Sequence, residues 1–593
     1  MVGFLRWSKS IALGTLNGIV KFTLFIVLLL VVLMLIGLAR GDGLPGQMVL
    51  TADLRTPLAD SARQGAFDFG DRPLTVMDTV LALDRASRDS RVKGLFLRVG
   101  GGGLSVAQAE ELGAAVKRFR QSGKFVVAHS QGFTSASLGD YLAATSANEI
   151  WMQPKSPFGP SGEGAGAVFL RGLFDKIEAL PQIAKRSDYK SAADTFMEKD
   201  YTPADREQTT ALLQSWYNSA ANGAAADRKL QTKAVTAVFE ASPQFSEDAR
   251  QAGLIDRIGY DDDAKDAALD RAGAGTKPIG LRQYARATSE MERPVGHPRV
   301  ALIEAAGEIV DGSAHEGLMG GNSVVAGDDY AAAIRDATRD SDIKAIVLRV
   351  DSPGGSVTAS DQILDAIKKA QHAGKPVVVS MATLAASGGY YIASSADRIV
   401  AEPGTLTGSI GVLTGKVSFG KSAGLLGIGV DQIGVGKNAL FDSAISPYTP
   451  EQWANLNHQA DAIYADFTQK VATGRKLPLA QVQEIAKGRV WTGADAKSRG
   501  LVDELGGFWT AVADAKKLAG IAPDERVDFK RYPKRASFFA MLDSTFSGTA
   551  AGVRALQGLA VIEQLPLARA MVRAMADAPS GGIQMKAVGL PAN

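Results

Sequence analysis

The stretch IKAIVLRVDSPGGSVTASDQILDAIKKAQHAGKPVVV, Ile343 to Val379, decides the fold. Its two ends, AIVLRV and PVVV, are short β-branched runs of strand type. Between them ASDQILDAIKKAQHAG carries apolar residues at helical spacing and ends at Gly374, which predicts a helix with a glycine C-cap. Strand, Gly-rich loop, helix and strand make a βαβ unit, and such units build parallel sheets. The same pattern stands 251 residues earlier, where Val92 to Ala128 reads VKGLFLRVGGGGLSVAQAEELGAAVKRFRQSGKFVVA. Working outward, MVLTADLRTPLAD from Met48 aligns with VALIEAAGEIVDG from Val300, and DYLAATSANEI from Asp140 with YYIASSADRI from Tyr390. YTP recurs at Tyr201 and Tyr448, an offset of 247 that short loop insertions and deletions explain. The chain is therefore read as α/β, a tandem duplication of a domain of about 250 residues. The expected divisions are 1–45, 46–290, 296–535 and 536–593, with a polar linker at Ala285–Pro298.

The 593 residues exceed what one hydrophobic core supports, in keeping with two domains. The 65 basic and 63 acidic residues leave a net charge of +2, which gives no electrostatic case for nucleic acid. Cysteine is absent, so disulfides, thiolate metal sites and cysteine nucleophiles are excluded. No metal or cofactor is called for. Near the N-terminus FTLFIVLLLVVLMLIGLA, Phe22 to Ala39, is an uncharged run of 18 residues, close to the ~20 that cross a bilayer. Arg6, Lys9 and Lys21 precede it without an acid, so the positive flank is expected to stay in the cytoplasm and the two copies to lie outside. The run exceeds a signal-peptide core and lacks a clear small-residue cleavage site, so an uncleaved anchor is expected.

The copies differ where chemistry is expected. The second has DSPGGSV, Asp351 to Val357, where the first has GGGGLSV; the second has ASGGYY where the first has TSASLGDY. Ser387 is expected at the end of a strand and the start of a helix, where partial positive charge favours a developing oxyanion. Gly388 would supply one N–H donor and the Gly354/Gly355 loop another. Ser137 falls near the matching place in the first copy but lacks the following glycines, and is read as inactive.

Serine needs a base. None of the five histidines, His129, His297, His315, His372 and His458, recurs at a matched place in the two copies. A lysine can serve if desolvation lowers its pKa. Lys190 in SDYKSAADTF and Lys437 in GVGKNALF each stand 11 residues before YTP, at equivalent positions of the duplication. Either could serve Ser387, according to whether the site closes within one copy or across two.

The combination of DSPGGSV, AASGGYYIAS and TLTGSIGV resembles the signal peptide peptidase A family of membrane-anchored serine–lysine proteases, in its long two-domain form, over Leu44 to about Arg535. The resemblance implies a ClpP/crotonase-like fold in each copy, a Ser/Lys dyad and a homotetramer at the inner membrane with its catalytic domains on the periplasmic side. It implies released signal peptides as substrates. Ser387 matches the family's nucleophile, Tyr189-Lys190-Ser191 its lysine motif, and Ser409 in TGSIG the serine that holds the lysine. Lys437 lacks the preceding tyrosine and stays as the alternative, since short relatives keep both residues in one domain. Two other readings belong to different classes: a crotonase-like acyl-CoA enzyme, which would need carboxylates beside the ASGGYY turn, and a non-catalytic membrane scaffold. The tail, Ala536 to Asn593, has helical apolar spacing interrupted by Pro566 and lies beyond the resemblance.

Overall fold

The computed structural model describes residues 42–61, 73–134, 137–289, 296–314, 324–533 and 584–586, together with Lys21, Phe25 and Leu28. Apart from those last two positions the expected membrane segment Phe22–Ala39 lies outside the described residues, as does the expected tail apart from 584–586. Among the described residues no helix is long and apolar enough to cross a membrane.

Each copy builds a sheet with six parallel strands in a shared order; in the second, Leu406–Gly408 also pairs parallel with Val377–Ala386, and Val490–Thr492 pairs antiparallel with Leu406–Gly408. In the first it runs Arg257–Ile258, Glu149–Met152, Phe125–Ser130, Val92–Val99, Met48–Asp53, Lys277–Gly280. In the second it runs Glu504–Leu505, Arg398–Ala401, Val377–Ala386, Ile343–Ser352, Arg299–Ala306, Asp528–Tyr532. Repeated sequence signals make repeated local structure. Ser105 and Ser356, from the two matching Ser-Val pairs, cap the helices Val106–Gln121 and Val357–His372 by accepting from the N–H of Gln108 and of Ala359. The two YTP motifs supply Thr202 and Thr449 as N-caps with proline at the first turn of helices Pro203–Arg228 and Pro450–Arg475.

The near-continuous apolar runs in the strands follow from burial on both faces. Along Arg299–Ala306, Val300 and Leu302 join the core of the first copy, whereas Ala301, Ile303 and Ala305 face the second copy's own core. Val378 and Val400 likewise face the first copy, and Val377 and Val379 their own. The second sheet thus packs one face on each copy, with period-two alternation deciding which residue goes where. An ion cluster is sealed in this contact. Arg349 donates to both oxygens of Asp60 at 3.1 and 2.7 Å, to Glu111 at 2.7 Å and to Ser380 Oγ at 2.9 Å, and all three charged side chains are buried.

A further sheet crosses from copy to copy. Leu180–Arg186 of the first pairs antiparallel with Val412–Ser418 of the second, Leu180 opposite Ser418 and Arg186 opposite Val412. The backbones meet closely at Gly415, φ +153°, where a Cβ would lie 2.2 Å from Gln182 O. The sheet continues through Gln584–Lys586 to Gly354–Ser356, Glu308–Val310 and Val324–Ala326. This pairing carries the loop after Arg186 into the second copy.

Candidate active site

Ser387 follows strand Val377–Ala386 and caps the short helix Gly388–Ala393. Its backbone sits at φ +55°, ψ −115°, a conformation that costs a non-glycine residue on the order of 1–3 kcal/mol. The surroundings impose it: the Ser387 N–H donates to Gly408 O at 2.8 Å, and its carbonyl accepts from the Tyr391 N–H at 2.8 Å. Gly389 lies so close under the preceding strand that a Cβ would stand 2.7 Å from Ser352 O, so this turn tolerates only glycine there. The serine is fully buried.

Lys190 comes from the other copy. Its Nζ stands 2.8 Å from Ser387 Oγ, 2.9 Å from Ser409 Oγ and 3.1 Å from Ser409 O. The side chain is 1 % exposed, and burial alone brings its amine from 10.5 down to about 7. The three contacts suit a neutral amine, which has two N–H donors and one lone pair. A carbonyl only accepts, so Ser409 O takes one N–H; Ser409 Oγ takes the other; the lone pair is left for the Ser387 hydroxyl. Ser409 itself is held at φ +51°, its N–H donating to Arg489 O at 2.8 Å.

The lysine loop is clamped to the second copy by residues that the sequence reading did not single out. Gln208 is buried; its amide donates to Tyr189 O at 3.1 Å and Ser191 Oγ at 2.9 Å, and its carbonyl accepts from the Val490 N–H at 3.3 Å. Arg489 lies over the Tyr189 ring at 4.8 Å and pairs with Glu207 at 2.7 Å, and Glu207 accepts from the Tyr189 hydroxyl at 2.8 Å. Gly488, φ +74°, lies against Lys190, where a Cβ would meet the lysine's Cβ at 2.6 Å and its N at 2.7 Å. Each is ordinary in sequence, because its contact across the copies reaches a residue more than 200 positions away.

The glycine loop also approaches. A Cβ on Gly388 would lie 3.1 Å from both Gly354 Cα and Gly355 N, and one on Gly355, φ +151°, would lie 2.0 Å from Ile309 O. Of the two expected loop donors, the Gly354 N–H goes to Ser352 Oγ at 3.2 Å. Gly355 is therefore the loop residue whose N stands beside Gly388. The arrangement can bind a carbonyl between backbone donors and abstract a hydroxyl proton next to it.

Lys437 is elsewhere: its side chain is 71 % exposed and pairs with Glu451 at 2.6 Å. Ser137 caps the helix Leu138–Thr145, as Ser387 caps its own, but its Oγ donates to Thr134 O, and no lysine among the described residues bonds to it. His129 is buried in the first copy, 3.2 Å from Gly259 O and 3.5 Å from Asp261, and burial lowers its pKa. Among the described residues no histidine or carboxylate bonds to Ser387, and no group of acidic or histidine residues is placed to hold a metal ion.

Comparison with known proteins gives a consistent result. The profile of Peptidase family S49 matches residues 118–275 and 369–522, and that of Clp protease matches residues 330–402. The chain is 33 % identical to Protease 4 of Salmonella typhi over 83 % of its own length and 79 % of that protein. It is 31 % identical to the chloroplastic serine protease SPPA of Arabidopsis thaliana, over 86 % and 75 % of the two chains. Protease 4 of Haemophilus influenzae is 31 % identical over 77 % and 75 %. Similarity to proteases along most of the chain leaves the acyl-CoA enzyme and the scaffold without support.

Proposed function

The chain belongs to Peptidase family S49 and is a serine endopeptidase; from that premise we propose that Ser387 is its nucleophile, Lys190 its general base and Ser409 the residue that orients the lysine. The observation that carries the reading is the 2.8 Å contact between Lys190 Nζ and Ser387 Oγ, with no acid among the described residues bonded to either. Neutral Lys190 takes the hydroxyl proton as Ser387 Oγ attacks the scissile carbonyl carbon. The oxyanion that forms is held by the N–H groups of Gly355 and Gly388. The Lys190 ammonium then gives its proton to the amide nitrogen, the C–N bond breaks and the amine product leaves. Water, deprotonated by the same amine, attacks the acyl-enzyme ester; the proton returns to Ser387 Oγ and the acid product departs.

The proposed substrates are released signal peptides and other apolar peptides, cleaved beside the inner membrane by copies held on its periplasmic side. The positive flank before Phe22–Ala39 supports that orientation. A homotetramer is supported by the family resemblance and by an exposed apolar stretch in the second copy, in which Leu426, Ile433 and Val435 are 61, 92 and 96 % exposed. The deciding experiment is labelling with a fluorophosphonate probe followed by peptide mapping. Modification of Ser387, lost in Lys190→Ala, is the expected result; modification of another serine, or none, refutes the dyad.

A further inference from the structure

Strand Val377–Ala386 does not reach Ser387 in one register. Residues 377–381 pair in step with residues 346–350, and the next pair is Ala385 with Ser352. From Val350 to Ser352 one strand advances two residues, while from Met381 to Ala385 the other advances four. The longer path carries the strand from one neighbour to another: residues 378–381 pair with Arg398–Ala401, whereas residues 384–386 pair with Leu406–Gly408. That second neighbour runs straight into Ser409. The swerve therefore decides whether Ser387 ends beside the serine that holds Lys190.

Asp351 stands alone opposite the extra residues. Its Oδ1 accepts from the Leu384 N–H at 3.1 Å, and the Thr383 N–H bonds to the same carboxyl. A side chain thus supplies the acceptor that the interrupted ladder does not. Asp351 is fixed from its far side, where it pairs with Ala306 and its carbonyl accepts from the Gly307 N–H at 2.9 Å. Just beyond it the chain enters the glycine strand Gly354–Ser356. One residue ties the strand that feeds the oxyanion loop to the strand that feeds the nucleophile. The first copy lacks this tie. At the repeat offset of 251 the place of Asp351 is taken by Gly100. There Phe125–Ser130 stays in step with residues 94–99 throughout, and among the described residues its other strand partner is Glu149–Met152 from end to end. The copy without the carboxyl has no swerve.

We propose that Asp351 is a positioning residue of the reaction: its carboxyl holds the swerve in strand Val377–Ala386 and so sets Ser387 Oγ against Lys190 Nζ. The inference rests on the proposed dyad and adds the residue that aims its serine. Charged or neutral, the carboxyl has an oxygen to accept the two N–H groups, and so has the side-chain carbonyl of an asparagine. An alanine has none. It leaves both main-chain donors without their acceptor and lets the end of the strand shift, and a shift of about 1 Å costs on the order of 10²-fold in rate.

The test uses the full chain with Asp351→Ala and Asp351→Asn. For a fluorogenic peptide, kcat per site titrated by a fluorophosphonate is expected to fall about 100-fold in Asp351→Ala with KM within about threefold, and to recover in Asp351→Asn to within about fivefold of the wild type. Hydrogen exchange at the Thr383 and Leu384 amides is expected to run about tenfold faster or more in Asp351→Ala and near the wild-type rate in Asp351→Asn. Wild-type kcat per titrated site in Asp351→Ala, the result for a residue that only stabilises the fold, overturns the inference. So does an asparagine variant as slow as the alanine one. Where alanine prevents folding, the wild type decides: Thr383 and Leu384 amides that exchange as fast as an unstructured peptide overturn the inference. A Ser387→Ala chain that still cleaves refutes the dyad and the aiming role with it, while the exchange readout, which needs no catalysis, still reports whether the carboxyl holds the strand.

Discussion

Replacing Gly488 by alanine tests the site with one methyl group far from the reacting atoms in sequence. Gly488 holds φ +74°, where an alanine costs on the order of 1 kcal/mol. The larger effect is steric. The new Cβ would stand 2.6, 2.7 and 2.8 Å from Cβ, N and Cα of Lys190, all atoms at or next to the lysine's backbone. Ordinary contact begins near 3.4 Å, so the lysine must retreat by roughly 0.6–0.8 Å or push Gly488 away from Ile410, whose carbonyl accepts the Gly488 N–H at 2.8 Å. A retreat of that size stretches the 2.8 Å contact with Ser387 out of hydrogen-bond range. Misplacement by about 1 Å costs a reaction on the order of 10²-fold. We expect kcat for a fluorogenic peptide to fall about 100-fold in Gly488→Ala with KM little changed, and the melting temperature to fall by a few degrees only. Because the displaced amine is less thoroughly buried, the acid limb of its pH profile should also move upward. Wild-type kcat in a variant shown by mass to be correct would refute the assignment of Lys190 as base.

Other outcomes follow from the same geometry. With the folded Lys190 amine at about 7, kcat/KM should rise about tenfold per pH unit below that value and level above it; a rise that continues to pH 10 would mean the base is a solvated lysine. Lys437→Ala should retain activity within about twofold, since that side chain is exposed and paired with Glu451, and a loss beyond tenfold in a peptide assay would return the base to the second copy. Ser409→Ala removes one hydrogen bond to the amine but leaves the carbonyl contact, so a loss of about tenfold in kcat is expected, and no loss would remove the orienting role. Arg349→Met strands Asp60 and Glu111 in the contact between copies; a cost on the order of 3–5 kcal/mol in chemical denaturation is expected, and an unchanged midpoint would show the cluster to be dispensable.

The duplication was legible because each copy repeats local signals: Ser-Val caps, YTP helix starts and β-branched runs depend on near neighbours in the chain. Ser387 stood out as a candidate through contrast, since the two copies share a scaffold and differ at the Gly-Gly that follows the serine. The choice between Lys190 and Lys437 was not open to reading from spacing, because both stand at the same place in their copies. What separates them is the pairing of Leu180–Arg186 with Val412–Ser418, which brings only the first copy's loop over Ser387. Gln208, Gly488 and Arg489 were missed for a related reason: nothing local marks a residue whose partner arrives from the other copy. Arg349 has a counterpart in Arg98 of the first repeat, yet Arg98 pairs with Asp261 at a partly exposed site. A shared Leu-Arg-Val run thus ends in different burial, because only the second sheet offers that face to a neighbouring domain.

The contact between Lys190 and Ser387 spans 197 residues of chain. If Lys190 and Ser387 are the proposed dyad, then while the polypeptide is being made its first copy can complete its own sheet and hold the lysine before Ser387 exists for it to serve. The serine arrives later, and strand Val412–Ser418, which pairs with the strand leading to Lys190, only after some two-thirds of the protein has been synthesised. On that reading a growing chain carries no cutting centre through most of its own production, and neither half released by accidental breakage between the copies becomes a protease alone. A dyad so split over two domains would act as a timing lock, with hydrolysis withheld until both halves have been built and brought together.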